Sequence, residues 1–408
     1  CGRSHFFEFL PYECVKDGTL SISNMEPQNE ANIAPAALIP LRNKIDEIDH
    51  QILKLLAQRT MIVEEVALVK KSTGYGIRDF IRESELLQDR GKRAAESGLR
   101  TEVIESLFRV ILWASRDKQA ALGAEMPKEM DSKTIAFIGG NGGMGKLLSK
   151  MFKDFGHVII VSDVDTPISN IEAVQLADVV IICVPIEQTA NVIREIGPHC
   201  KSESLLLDIT STKIAPIDAM LEHSTCSVIG THPLFGPTIH SLQGQRIAIV
   251  PARDNGNWKE WICTILKGRG LSILETSAEE HDQAMSIVQV LTHQTTEVLG
   301  RTIQQLNVDI RKTLDFTSPI YLMELLMTAR HFAQSADLYA SIQMNNPQTS
   351  QILTALQNAG EELRDIINSK DRAKFQSLFQ KVHKHFGDFS EQALEQSSFL
   401  IDRLVERG

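Results

Sequence analysis

Between Leu38 and Lys71, apolar residues recur at positions 41, 45, 48, 52, 55, 62 and 66, the spacing of a helix with one apolar stripe. Such a helix runs to about 50 Å. That is longer than a domain of about 90 residues can cover by itself, so the pattern predicts a partner chain along part of it. STGYG interrupts the helix; IRDFIRESELLQDRGKRAAES then reads as a second and TEVIESLFRVILWASRDKQAAL as a third, with no strand signal before Lys133. The polar GAEMPKEMDSK reads as a linker. Beyond it the period changes: TIAFIGG, HVIIVSD, ADVVIICVP, SLLLDIT, CSVIGTHP, RIAIVP and LSILETS are short β-rich runs separated by helical stretches, the pattern of a mostly parallel α/β sheet. After residue 279 the strand signals stop and helical patterns continue, with NNPQ as the one clear break.

At the other end, residues 1–24 show no sustained period, and Met25 is followed by the polar EPQNEANIAP. Met25, or a position near it, is the expected natural start, and residues 1–37 an extension that is disordered or not native. With 408 residues, 43% of them apolar, the chain can build two or three cores. A net charge of -10 argues against general nucleic-acid binding, which needs excess Lys and Arg. The six cysteines are scattered with no CxxC spacing, so neither a disulfide framework nor a metal site is expected, and the setting is reducing and cytoplasmic. No apolar run approaches the roughly 20 residues that cross a bilayer, so no membrane association is expected.

The chemistry starts at IAFIGGNGGMGKLLSKMF. Gly140, Gly142 and Gly145 match GxGxxG after a strand and at the opening of a helix. There the first glycine permits the tight turn, the second admits a pyrophosphate, and the third lets helix pack on strand. HVIIVSD ends in Asp163, 18 residues past the last glycine, where a carboxylate meets the adenosine ribose. No Arg or Lys follows in VDTPIS, which favours NAD over NADP. A ligand-free glycine turn is the bland alternative. Further on, GTHPLFGP places His232 just after an apolar strand, at the carboxyl end where ligands of such sheets bind; a histidine there takes a proton as hydride leaves. Taken alone it reads more simply as a hydrogen-bonded structural histidine.

The motifs GGxGxMG, DxxSxK (Asp208, Ser211, Lys213), THPLFGP, EHDQ (Glu280 to Gln283), SPIYxxE (Ser318 to Glu324) and ARxFAQ (Ala329 to Gln334), in this order from about 133 to the C-terminus, resemble the prephenate dehydrogenase family. The resemblance implies NAD-dependent oxidative decarboxylation of prephenate to 4-hydroxyphenylpyruvate. It implies His232 as acceptor and base for the ring hydroxyl, supported by Ser211. Arg330 would grip a carboxylate, Lys213 would add positive charge, and His293 would belong to the substrate pocket and to inhibition by tyrosine. Fused members carry SPIYR where this chain has Leu322, which removes one cationic contact.

The helical segment in front can then be read for chemistry. Arg59 and Lys70 are eleven residues apart, within about 20° of one helix face and about 16 Å from each other, so both can reach one small dianion. Arg42 lies about 100° round and about 25 Å from Arg59, and could serve that ligand only from another chain. Asp79, Arg82 and Glu83 share a face, as do Ser115 and Gln119; any one pair reads more simply as a solvated salt-bridged face. Together, LRxKIDxID, AxR, VxxxK, D-x-x-R-E and S-x-x-x-Q resemble the helical chorismate mutases, in which two chains interlock. That family's reaction is a Claisen rearrangement. The resemblance implies carboxylate binding by Arg42, Arg59 and Arg82, with Ser115 near a carboxylate, contact of Lys70 and a neutral Gln119 with the ether oxygen, and Glu83 and Asp79 on the ring-hydroxyl side.

The two resemblances imply a homodimeric fused chorismate mutase and prephenate dehydrogenase of tyrosine biosynthesis. Its parts would be an all-α mutase domain (38–126), a Rossmann-like α/β NAD-binding domain (133–278) and an all-α substrate-binding and dimerisation domain (279–408). Two other readings compete. A β-hydroxyacid dehydrogenase with an unrelated helical domain shares the glycine loop but not THPLFGP or SPIY, and a tyrosine-sensing regulatory protein would have lost catalysis.

Overall fold

A computed structural model of the chain describes residues 36–73, 75–123 and 131–405. The extension 1–35 and most of the expected linker lie outside the described residues. Three helices come first, α1 (Ile39–Thr73), α2 (Phe80–Glu96) and α3 (Thr101–Ala121). The stripe at 41, 45, 48, 52, 55, 62 and 66 is exposed along its whole length, while α1 buries only Val63 and Ala67. The small core here joins Ala67, Ile77 and Ala120, where α1 and α3 approach the segment before α2.

Seven strands follow: β1 (Thr134–Ile138), β2 (Val158–Ser162), β3 (Val179–Ile182), β4 (Leu205–Asp208), β5 (Ser227–Pro233), β6 (Arg246–Arg253) and β7 (Ser272–Glu275). All seven β-rich runs thus form strands. They make one sheet in the order β2-β1-β3-β4-β5-β6-β7, parallel except for the β5–β6 pair. The central strands are apolar on both faces, as a sheet covered on both sides requires. Ile135, Phe137, Val179 and Ile181 join a core with α4 (Gly143–Asp154) and α8 (Trp258–Gly268). The alternate residues Ala136, Ile138, Val180 and Ile182 join a second core with α5 (Asn170–Leu176), α6 (Ile186–Ile196) and α7 (Ile214–His223).

The remainder is helical: α9 (Ala278–Met285), a π-helical turn at Ser286–Leu291, α10 (Thr292–Gln305), α11 (Ile310–Leu314), α12 (Pro319–Phe332), α13 (Ala336–Asn345), α14 (Thr349–Asn368), α15 (Arg372–Phe386) and α16 (Phe389–Val405). NNPQ is therefore not the one break. The chain also turns at Asn307, Lys370 and Gly387, which take positive φ, and restarts on the N-caps Asp309, Ser318 and Asp371.

Two compact units divide the chain, one of Lys54–Thr292 with Ala336–Thr354, the other of the described residues up to Leu53, His293–Ser335 and those from Ala355 onward. The compact units therefore do not part at the expected 278/279 boundary. Helix α13 belongs with the sheet, where the Ser341 hydroxyl donates to Glu187 of α6 and the Asn346 amide donates 2.9 Å to the Asp282 carbonyl.

Candidate active sites

The glycine loop between β1 and α4 is shaped as the GxGxxG reading requires, with one shift of register. The left-handed residue is Gly139 (φ +78), one position before the motif, so the tight turn falls there. A Cβ on Gly145 would stand 2.5 Å from the Gly140 carbonyl oxygen, so helix α4 can sit this close to the strand only with glycine. A Cβ on Gly142 would meet only the Gly139 oxygen at 3.6 Å, leaving the N-terminus of α4 open to an approaching anion. Asp163, just past β2, accepts the Asn141 amide at 2.9 Å and the Val164 amide at 2.8 Å, which fixes its carboxylate beside the loop. This donor set fits a dinucleotide: open backbone amides for phosphates, and an anchored acceptor for ribose hydroxyls.

His232 lies inside β5 rather than after it, buried at 3% exposure. Its Nδ1 is 2.9 Å from His281 Nε2, and His281 Nδ1 is 2.8 Å from Asp282 Oδ1. On the other side, His232 Nε2 faces the Gln289 amide nitrogen at 3.4 Å, while Gln289 Oε1 is buried with no partner. Gln289 sits on the π-helical turn, a local widening that often marks a functional position. Burial, and then the positive charge available at His281 and Lys213, hold the His232 imidazole well below its ordinary pKa, so it stands as a neutral base.

Lys213 lies deep between the strands. It is fully buried, its ammonium pairs with Asp208 and donates 2.8 Å to the Thr231 carbonyl, and burial pushes its pKa down against the opposing pull of Asp208. It therefore braces β4 against β5, and its charge also bears on His232. Ser211, two residues before it, is half-buried in the turn that follows β4.

Among the first three helices, Arg59 donates 2.5 Å to the Ser115 hydroxyl, and Gln119 donates 3.2 Å to the Ser115 carbonyl while its own Oε1 stays buried with no partner. Burial, then Arg90, lower the Arg59 pKa, as befits a partly desolvated cation facing no anion. Lys70 donates to the carbonyls of Gly76 (2.9 Å) and Ile77 (2.6 Å) and sits 5.5 Å above the Tyr75 ring. Asp79 is the N-cap of α2; the Arg82 amide and the Tyr75 hydroxyl, both at 2.9 Å, lower its pKa. Glu83 pairs with Arg116 at 2.6 Å and with Arg78 at 3.7 Å, whereas Arg82 points outward, 4.0 Å from Glu85. Arg42 lies on the exposed start of α1. In the other compact unit, His293 packs against His331 with ring centroids 5.4 Å apart, His331 Nε2 is 3.0 Å from Glu297, Arg330 is exposed and Leu322 is buried.

Sequence reasoning missed Arg116, Tyr75 and Gln289, and gave no role to His281 or Asp282 although it singled out EHDQ. The histidine followed by an acid was the available signal.

Three family models match consecutive parts of the chain. They are chorismate mutase type II at residues 41–120, the nucleotide-binding domain of prephenate dehydrogenase at 159–275 and its dimerization domain at 277–381. The second begins past the glycine loop, whose reading thus rests on its own geometry. The T-protein of Haemophilus influenzae is 33% identical over 367 residues, 90% of this chain and 97% of that protein. The chain belongs to the T-protein family. The T-protein of Enterobacter agglomerans is 32% identical over the same shares, and a probable arogenate/prephenate dehydrogenase of Methanocaldococcus jannaschii is 38% identical over 62% of this chain and 61% of that protein. A solved prephenate dehydrogenase from A. aeolicus, in complex with hydroxyphenyl propionate and NAD+, shares the fold: TM-score 0.52 and 15% identity over 63% of this chain and 98% of that one. As a T-protein this is a bifunctional enzyme of tyrosine biosynthesis, a chorismate mutase and an NAD-dependent prephenate dehydrogenase. Neither the β-hydroxyacid dehydrogenase nor the regulatory reading accounts for all three matches.

Proposed function

We propose that each activity is carried by one constellation of this chain: residues 38–126 rearrange chorismate, and residues 133–408 oxidise the prephenate formed. The observation that carries the dehydrogenase half is a neutral, buried histidine whose free nitrogen faces an amide with an unsatisfied oxygen. His232 Nε2 accepts the proton of the ring hydroxyl as the carbon–hydrogen bond at that carbon breaks. Bound NAD supplies the hydride acceptor, and loss of carbon dioxide with aromatisation completes the reaction. Gly140, Gly142, Gly145 and Asp163 hold the dinucleotide, Ser211 supports the hydroxyl, and Arg330 and His293 serve the substrate's carboxylate and pocket.

For the mutase, Arg59, Arg82 and Arg42 of a second copy bind carboxylates, and Ser115 holds Arg59 in place. Lys70 and Gln119 donate to the ether oxygen as its bond breaks; the unpartnered Gln119 Oε1 marks a side chain whose surroundings are completed by a ligand. Glu83 and Asp79 face the ring hydroxyl. No nucleophile is required, because holding chorismate in its reactive shape and stabilising developing charge provide the rate. The exposed apolar stripe of α1 supports a homodimer in which the second copy covers it. No helix among the described residues is long and apolar enough to cross a membrane, and a cytoplasmic setting and feedback inhibition by tyrosine complete the proposal.

Purified protein given chorismate and NAD should produce NADH only when both constellations work. Parallel assays with prephenate and with arogenate, each with and without tyrosine, test substrate choice and inhibition. NADH formation from prephenate but not from chorismate would refute the mutase assignment alone.

A further inference from the structure

His232 does not stand alone. Its Nδ1 meets His281 Nε2 at 2.9 Å, the two rings lie edge to face with centroids 5.1 Å apart, and His281 Nδ1 meets the Asp282 carboxylate at 2.8 Å. All three side chains are buried at 3% exposure or less. Asp282 also accepts the backbone amides of Lys213 (2.7 Å) and Ile214 (3.1 Å), which lock it at the start of α7. An aspartate can only accept, so the ring nitrogen of His281 beside it carries hydrogen and its Nε2 carries a lone pair. That lone pair accepts from His232 Nδ1–H, which leaves His232 Nε2 as the base nitrogen, on the side facing Gln289.

We propose that His281, oriented by Asp282, is a positioning residue of the dehydrogenase: it fixes the tautomer of His232 and shares the positive charge that His232 acquires. The proposal rests on the reading of His232 as the base. In the step it serves, the hydroxyl proton goes to His232 Nε2 as the carbon–hydrogen bond breaks and the carbon–oxygen double bond forms; bound NAD would supply the acceptor for the hydride. The His232 Nδ1–H is then drawn toward His281 Nε2, and the charge spread over the two rings is balanced by Asp282. The other charged groups around His232 are Lys213, whose ammonium disfavours positive charge on the ring, and Asp208, which pairs with that ammonium, so the histidine–aspartate pair is the arm that accommodates a new charge.

His281→Leu removes the acceptor of Nδ1–H. The dehydrogenase kcat should fall on the order of 10²-fold, the usual range for disturbing a general base, with the prephenate KM nearly unchanged and chorismate mutase activity retained. His281→Gln restores a carbonyl acceptor for Nδ1–H without the relay and should recover part of the rate. If His281→Leu loses mutase activity as well, the glutamine variant alone carries the comparison. Wild-type kcat in either variant would overturn the proposal, as would a His281→Gln rate no higher than that of His281→Leu. His232→Asn, run in parallel, separates the two readings: a silent His232→Asn defeats the base assignment, whereas an inactive His232→Asn beside an unaffected His281→Leu defeats the relay only.

Discussion

The mutase helices and the nucleotide-binding sheet solve opposite packing problems. The sheet buries two extensive apolar layers and keeps its polar groups at strand ends, so one chain completes it. Helices α1 and α3 share only a small apolar cluster, Ala67 and Ala120 with Ile77 before α2; the long stripe of α1 stays exposed, and polar residues gather between α1, α2 and α3. The sheet's polar site is thus assembled within one chain. That of the helices lies along one helix face, and our proposal has a second copy complete it. A change at one constellation should therefore leave the other working, and the size of each effect reports how self-contained its region is.

The largest effects come from the reacting groups. His232→Asn keeps side-chain volume near that of histidine but removes the base, and should lower dehydrogenase kcat by about 10²- to 10⁴-fold while chorismate mutase activity stays within a factor of about two. Arg59→Ala should do the reverse, because it removes a half-buried cation and frees Ser115, with a mutase loss on the order of 10²- to 10³-fold. Separate assays with prephenate and with chorismate check both. If either variant lost both activities equally, the two regions would not be independent.

How much of this was legible in the sequence divides along the same line. The strands were readable because runs such as ADVVIICVP and SLLLDIT have no reason to be so apolar except burial on both faces. Gly145 was readable because helix and strand pack too closely there for any Cβ, and Gly142 and Asp163 because the motif's spacing puts them where phosphate and ribose meet the chain. Lys213 was not, since a sequence gives its charge but not the aspartate that closes over it. The π-helical turn was also hidden: one extra residue in a helical turn leaves the apolar period of SIVQVL almost unchanged while moving Gln289 to His232. Breaks at Asn307 and Lys370 depend on a left-handed residue, a conformation lysine seldom announces.

The role of Lys213 can be tested through stability. Lys213→Met leaves the Asp208 carboxylate buried without its cation, which should cost about 3–5 kcal/mol of stability. The check is a lower urea midpoint at unchanged slope, and adding Asp208→Asn should recover part of the loss. Were Lys213 a substrate contact instead, the same change would raise the prephenate KM and leave the unfolding midpoint where it was.

The smallest expected effect is a response to acid, and it again separates the two regions. Burial lowers the pKa of His157, of His232 and of His293, all in the dehydrogenase part. The one described histidine of the mutase helices, His50, is exposed on α1. In the unfolded chain these histidines take up protons near the ordinary value of 6.5, whereas the folded protein holds the three buried ones neutral to lower pH. The unfolded state thus binds more protons below that value, and stability must fall as pH falls through it. Each kcal/mol lost shifts a domain of this size by about 2–4 °C. Thermal unfolding followed by the fluorescence of Trp261, packed against His157, and of its neighbour Trp258 should therefore move down by a few degrees between neutral pH and pH of about 5.5. Mutase activity after the same exposure should decline less. A dehydrogenase part whose unfolding temperature is flat across that window would mean that its histidines are solvated in the folded chain, and that His232 is not held as the neutral base the geometry describes.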